Sequence, residues 1–188
     1  MTEALPPWRP LLRGARQREG RSPQARWLQL ATMGTDGAPR LRTLVFRGWA
    51  GPAQLDLLTD HRSGKSLELQ AQPRVELCWL LPKARCQFRL RATRLVLPAE
   101  EEQRARKQHW QQLNPGARSL WVWPKPGAPF DKSGSFPQEI ADGTPVPTCF
   151  ELIRFAIAQV ELLELNGHPH QRRRWRLDQQ WREERLNP

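Results

Sequence analysis

The sequence contains no tyrosine and only three cysteines, Cys78, Cys86 and Cys149, in 188 residues. Three is an odd number and no two are spaced as CxxC, which excludes a cysteine-built zinc site or a disulfide framework. His168 and His170 flank Pro169 with no acidic partner at ligand spacing, so no metal site is expected. No apolar run approaches the ~18 residues of a membrane span, and MTEALPPWRP has no charged-then-apolar leader pattern. These absences predict a cytoplasmic chain with no membrane association. A Gly-x-Ser-x-Gly elbow is missing too, so covalent hydrolysis has no support and any catalysis is expected to use a cofactor.

Acidic residues are also scarce: 19 Asp and Glu face 30 Lys and Arg, for a net charge of +11. That excess calls for anionic company, such as phosphorylated ligands or nucleic acid. Eighteen prolines and nine tryptophans in one chain of this length suggest a single domain, 1–188, with long irregular connections.

The stretch LLTDHRSGKS ends like a nucleotide-binding P-loop, but the glycine required five residues before Gly64 is Thr59. An NTP is therefore excluded. A strand end followed by Ser63, Lys65 and a helix start still suits a phosphate.

From Arg26 the pattern has period two: RWLQLATM, PRLRTLVFRG and AQLDLLT read as antiparallel hairpins. GKSLELQAQ supports about two helical turns. VELCWLL and ARCQFRLRATRLVLP return to strand, the second with Cys86, Phe88, Leu90 and Ala92 on one face and Gln87 on the polar one. Helices are predicted over Trp8–Gln17, within an N-terminal segment 1–25, and over Pro98–Leu113. Residues 124–148 read as a long Pro/Gly-rich loop, Cys149–Leu165 as a strand broken near Ala156, and QRRRWRLD and WREERL as closing strands. The expected fold is mainly β, a small antiparallel barrel with two or three peripheral helices.

If the strands bearing Arg42 and Thr59 are neighbours, Arg42, Thr59, Ser63 and Lys65 converge on one phosphate; the alternative is that Arg42 and Lys65 are solvated charges. The Arg172–Arg173–Arg174–Trp175 run either grips an anion or is a solvated face.

Taken in order, RTLVFRG, LLTDHRSGKSLELQAQPRVELCWLLP and CQFRLRATRLVLP resemble the FMN-binding split-barrel family of pyridoxamine 5′-phosphate oxidase. The resemblance implies that Ser63 and Lys65 serve the FMN phosphate with Arg42 and Thr59. It implies further that Thr43, Leu44, Val45, Arg47 and Leu58 border the cofactor, that Gln87 contacts the isoalloxazine ring and that Arg173 completes the set. It also implies a homodimer with FMN in a groove built by both subunits. The chain departs from the family at Gly64, where an arginine is expected, at Leu163, where a tryptophan is expected, and in lacking the substrate-binding tyrosine. The expectation is a FMN-dependent oxidoreductase with a rewritten substrate pocket, in which Arg47, Arg172 and Trp110 or Trp121 meet an anionic substrate. Two rivals remain: a basic barrel that binds nucleic acid without catalysis, and a flavin carrier without turnover.

Overall fold

The computed structural model describes residues 4–188, so the first three residues of the N-terminal segment lie outside it. Strand β1 (Trp27–Met33) alternates strictly, with Leu28, Leu30 and Thr32 buried between more exposed neighbours. It pairs on one side with β2 (Pro39–Gly51) and on the other with β4 (Arg74–Leu81). β3 (Gln54–Asp60) follows β2 through a tight turn, and β5 (Cys86–Leu95) follows β4 in the same way.

β6 (Phe150–Glu164) is long enough to do two jobs. Its first half pairs with β3 from Gln54↔Ala156 to Asp60↔Phe150, which closes a six-stranded antiparallel barrel in the order β3-β2-β1-β4-β5-β6. Its second half carries β7 (Gln171–Arg176), to which β8 (Glu183–Leu186) adds. The expected mainly β barrel with outer helices is thus observed. β6 runs unbroken through Ala156, but close to the expected break it carries a bulge: Arg91 and Ala92 of β5 pair with Gln159 and Ile157, which leaves Ala158 of β6 as the extra residue.

Each barrel end has its own helix. α1 (Trp8–Glu19) covers the end formed by the β2–β3 and β4–β5 turns, sending Trp8, Leu12 and Ala15 into the core. Glu19 is 1% exposed because its Oε1 accepts the backbone N–H groups of Lys83 (2.8 Å) and Ala84 (3.2 Å). α2 (Gly64–Ala71) covers the opposite end and contributes Leu69 to the same core.

Outside the barrel wall, α3 (Ala99–Gln112) lies over β6 and encloses a second cluster containing Leu58, Trp110, Trp121 and Phe150. The three rings meet edge to face at centroid distances of 4.9 to 6.1 Å. Asn114-Pro115-Gly116 ends α3 as expected, but it also starts a short α4 (Pro115–Ser119): Asn114 Oδ1 accepts the Ala117 N–H at 2.7 Å, and proline suits the first helical position. The segment 124–148 forms no helix or strand. WREERL yields strand only from Glu183, because Gln180 and Trp181 turn the chain with φ of 52° and 60°.

Candidate functional site

At the α2 end, alternation delivers one inward side chain per strand to the barrel mouth. Arg42 stands opposite Leu30 in the β1–β2 register and so faces inward; Thr59 stands opposite Glu151. The α2 residues meet these side chains in a polar ring. Arg42 donates through Nη2 to Glu68 Oε2 at 2.7 Å and through Nη1 to Thr32 Oγ1. Lys65 Nζ donates to Thr59 Oγ1 at 2.9 Å and to Ser63 Oγ at 2.8 Å. Ser66 donates to Glu151, which also accepts from Arg94 at 2.8 Å.

Of the four expected phosphate residues, Thr59, Ser63 and Lys65 meet directly in a single chain, while Arg42 lies near enough for its charge to act on Lys65 and is itself paired with Glu68. Lys65 is the informative member. Its ammonium meets two hydroxyls but no carboxylate within 4 Å among the described residues. Burial lowers its pKa, and the nearby Arg42 charge lowers it further. No side chain caps the N-terminus of α2, since Ser63 Oγ donates to the Asp60 carbonyl instead. A desolvated ammonium, two hydroxyls, a guanidinium and an uncapped helix start form a donor set that fits a phosphate monoester. The glycine at 64 leaves that helix start uncrowded; a Cβ there would meet only Glu68 Oε1, at 3.6 Å. Arg62 does not take the place of the missing family arginine. It grips Asp60 at 2.5 Å and the Trp123 carbonyl at 3.0 Å, turned toward the long loop.

The remaining expected residues are dispersed. Leu44 faces inward opposite Leu28, whereas Thr43 and Val45 lie on the outer wall opposite Gln29 and Trp27. Leu58 is buried in the second cluster under α3. Arg47 sits at the register shift between Phe46 and Gly48, the bulge that alternation required if it was to share a ligand with Arg42. Its Nε is buried without a protein partner, and its pKa is lowered by burial and by Arg26. Gln87 and Arg172 share an outer-wall cleft of about 120 Å³ with Arg89, Glu161 and Leu163. Arg173 projects from the other face of β7, opposite Leu162, where Glu164 holds it at 2.7 Å and the Trp175 ring lies 5.4 Å away. Trp110 is buried, its indole N–H donating to the Thr144 carbonyl. Trp121 is buried too, and donates to the Thr59 carbonyl at 2.9 Å.

Sequence reasoning missed Thr32, Glu68, Arg94 and Glu151. Only Thr32 left a trace, as the next inward position after Leu28 and Leu30; the others depend on how α2 and β6 close the barrel.

Residues 5–98 match the family model described as pyridoxamine 5′-phosphate oxidase, FMN-binding domain. Over 148 residues the chain is 33% identical to pyridoxine/pyridoxamine 5′-phosphate oxidase 2 of Arabidopsis thaliana, covering 75% of each. The chain belongs to the pyridoxamine 5′-phosphate oxidase family. A solved pyridoxamine 5′-phosphate oxidase-related FMN-binding protein of Nostoc punctiforme superposes with a TM-score of 0.89 at 39% identity, covering 99% of this chain and 100% of that one. PhzG of Burkholderia lata, at 16% identity and a TM-score of 0.65 over 100% and 99% of the chains, shares the fold. The oxidase-family match spans β1 to β5 and thus includes Arg42, Thr59, Ser63, Lys65 and Gln87; Trp110, Arg172 and Arg173 lie beyond it. Among the described residues, no helix is long and apolar enough to cross a membrane.

Proposed function

We propose that the chain binds FMN as a homodimer and works as a FMN-dependent oxidoreductase on a small anionic molecule. The observation that carries this reading is the Lys65 ammonium, held by Thr59 and Ser63 beside Arg42 with no carboxylate within 4 Å among the described residues. In the proposed complex Arg42 and Lys65 neutralise the FMN phosphate while Ser63 and Thr59 donate hydroxyl hydrogen bonds to it. Bound FMN would supply hydride transfer at the flavin, and the protein orients and desolvates the reactants. The family resemblance aims Gln87 at the flavin ring, but a single chain keeps Gln87 away from Arg42. Three strand spacings separate them across the sheet, roughly 14 Å, and they lie at opposite barrel ends on opposite faces of the wall.

A second copy resolves that separation. The outer wall exposes Trp27 (47%), Met33 (45%), Leu41 (69%) and Leu80 (47%), a set of apolar side chains on adjoining strands β1, β2 and β4. Burying that face in a dimer would present Gln87 of one copy to the cofactor held by the other. Leu41→Glu places a charge in this face and is expected to shift the protein from dimer to monomer in sedimentation, with FMN lost in parallel. A monomer that keeps its FMN would reject the shared site.

The three free cysteines fit a reducing, cytoplasmic setting. Substrate is named only at the level of chemistry. The Arabidopsis relative's name points to a pyridoxine or pyridoxamine phosphate, whereas the absent tyrosine and Leu163 argue for a different pocket. The test is the visible spectrum of the purified protein, mass identification of the heat-released chromophore, then anaerobic reduction by pyridoxine 5′-phosphate. Released FMN with substrate-dependent bleaching supports the enzyme. FMN without bleaching by that or any other small anionic donor supports the carrier reading, and a colourless protein unable to take up FMN removes both.

A further inference from the structure

The positive charge of this chain is distributed unevenly, and the imbalance lies away from the α2 mouth. At the C-terminus Arg172, Arg173, Arg174 and Arg176 each lie within 4 Å of a glutamate carboxylate. Residues 4–26 hold six arginines against one glutamate, and that glutamate, Glu19, is turned inward onto the Lys83 and Ala84 N–H groups. None of the six meets a carboxylate within 4 Å among the described residues. Four of them, Arg13, Arg16, Arg21 and Arg26, line one cleft of about 540 Å³ between the C-terminal half of α1 and the turn that leads into β1. Arg16 is preset: its Nε donates to the Ala25 carbonyl at 2.7 Å and its guanidinium lies 4.4 Å from the Phe46 ring and 4.8 Å from that of Trp79. Burial and the Arg26 charge lower its pKa.

A solvated face would not need four guanidinium groups around one concavity. The carbonyl end of α1 favours cations there, but that end amounts to only about half an elementary charge. Roughly three and a half positive charges are left, close to what two phosphate groups carry at about −1.5 to −2 each. The cleft volume lies in the range of small-molecule sites, which favours a compact phosphorylated ligand over a nucleic-acid strand that tracks many phosphates. We propose that the cleft between α1 and the 20–26 turn is a second anion site, separate from the FMN phosphate site, for a small molecule bearing a diphosphate or two phosphates. Arg16 forms its fixed floor, and Arg13, Arg21 and Arg26 close on the ligand from the exposed rim.

The experiment is calorimetric titration of inorganic diphosphate into the full chain saturated with FMN, and in parallel into the Arg42→Ala/Lys65→Ala variant. The second arm reads the cleft even if the chain binds no FMN, so the two proposals fail separately. Saturable one-to-one binding is expected in both. It should weaken about tenfold in Arg21→Ala and in Arg26→Ala and vanish in Arg13→Ala/Arg21→Ala/Arg26→Ala, with FMN content unchanged. These three side chains are exposed, so the fold should tolerate their loss. Inorganic phosphate is expected to bind at least tenfold more weakly than diphosphate. Absence of saturable heat, or binding that survives the triple variant, overturns the site. So does a twelve-nucleotide single strand that binds more tightly than diphosphate with a steep salt dependence, which would make the surface a nucleic-acid contact. Conversion to monomer by Arg26→Ala with no diphosphate binding in the parent would show instead that a second copy neutralises the cluster.

Discussion

The Arg42→Ala/Lys65→Ala variant is expected to elute colourless, with FMN affinity reduced by about two to four orders of magnitude relative to the parent chain. Each substitution removes a charged donor to phosphate, and such bonds contribute about 1.5–3 kcal/mol apiece. The loss must be separated from unfolding, because Arg42 is also tied to Glu68 and Thr32. Lys65→Gln makes that separation. It keeps a polar side chain between Thr59 and Ser63, disturbs no ion pair, and should still cost FMN at least tenfold while circular dichroism stays unchanged. Undiminished FMN occupancy in the double variant would remove Lys65 and Arg42 from the site.

The pH dependence of the same affinity follows from burial. Without ligand, burial and Arg42 hold the Lys65 pKa below its usual 10.5. A bound phosphate would favour the ammonium and raise that pKa again. Between the two values the complex holds a proton that the free protein lacks, so affinity falls as pH rises through the free-protein value. The fall should begin below pH 10.5 and be absent in Lys65→Gln.

What was legible in the sequence is what depends on local period. Alternation gave β1, β2, β4 and β5, and the Ser63-Gly64-Lys65 helix start placed α2 against the strand end at Thr59. Simple alternation would put Arg42 and Arg47 on opposite faces of β2, and the register shift at Arg47, between Phe46 and Gly48, breaks that alternation. What was not legible depends on closure. β3 meets β6 across about ninety residues of chain, and no spacing announces that Glu151 will face Ser66 or that α2 will bring Glu68 to Arg42. The Arg172–Arg174 run shows the same limit at short range. Period two puts Arg172 and Arg174 on one face and Arg173 on the other, and only the positions of Glu161, Glu164 and Glu184 reveal that each has a carboxylate partner. Nothing in the spacing of Arg13, Arg16, Arg21 and Arg26 marks them as a group; the chain reversal after α1 gathers them around one cleft.

Asp56→Ala is expected to be the most destabilising change on the barrel exterior, at about 3–5 kcal/mol in chemical denaturation, because it removes the two-point partner of a buried guanidinium and leaves it only the exposed Glu101. Asp56 and Arg154 are 3% and 9% exposed. Arg154 donates Nε to Asp56 Oδ1 at 2.8 Å and Nη2 to Oδ2 at 3.0 Å, then reaches Glu101 on α3 at 2.7 Å, while His109 on α3 meets the same Asp56 at 2.9 Å. The cluster therefore clamps α3 to the β3–β6 seam that closes the barrel. Asp56→Ala/Arg154→Leu removes both charges together and should recover a large part of the loss, which a simple packing defect at position 56 would not allow. Burial alone would raise the Asp56 pKa, but the bonds from His109 and Arg154 outweigh it and hold the carboxyl below its usual 3.8. A depressed folded-state pKa contributes stability that is complete above 3.8 and is lost as pH falls through the folded value, so the parent should lose stability in acid more steeply than Asp56→Ala. The consequence reaches the phosphate site. α3 holds Trp110 against Trp121, and the Trp121 indole bonds the Thr59 carbonyl. Releasing the clamp is expected to loosen Thr59 and lower FMN affinity several-fold, an effect that Asp56→Ala/Arg154→Leu should largely restore.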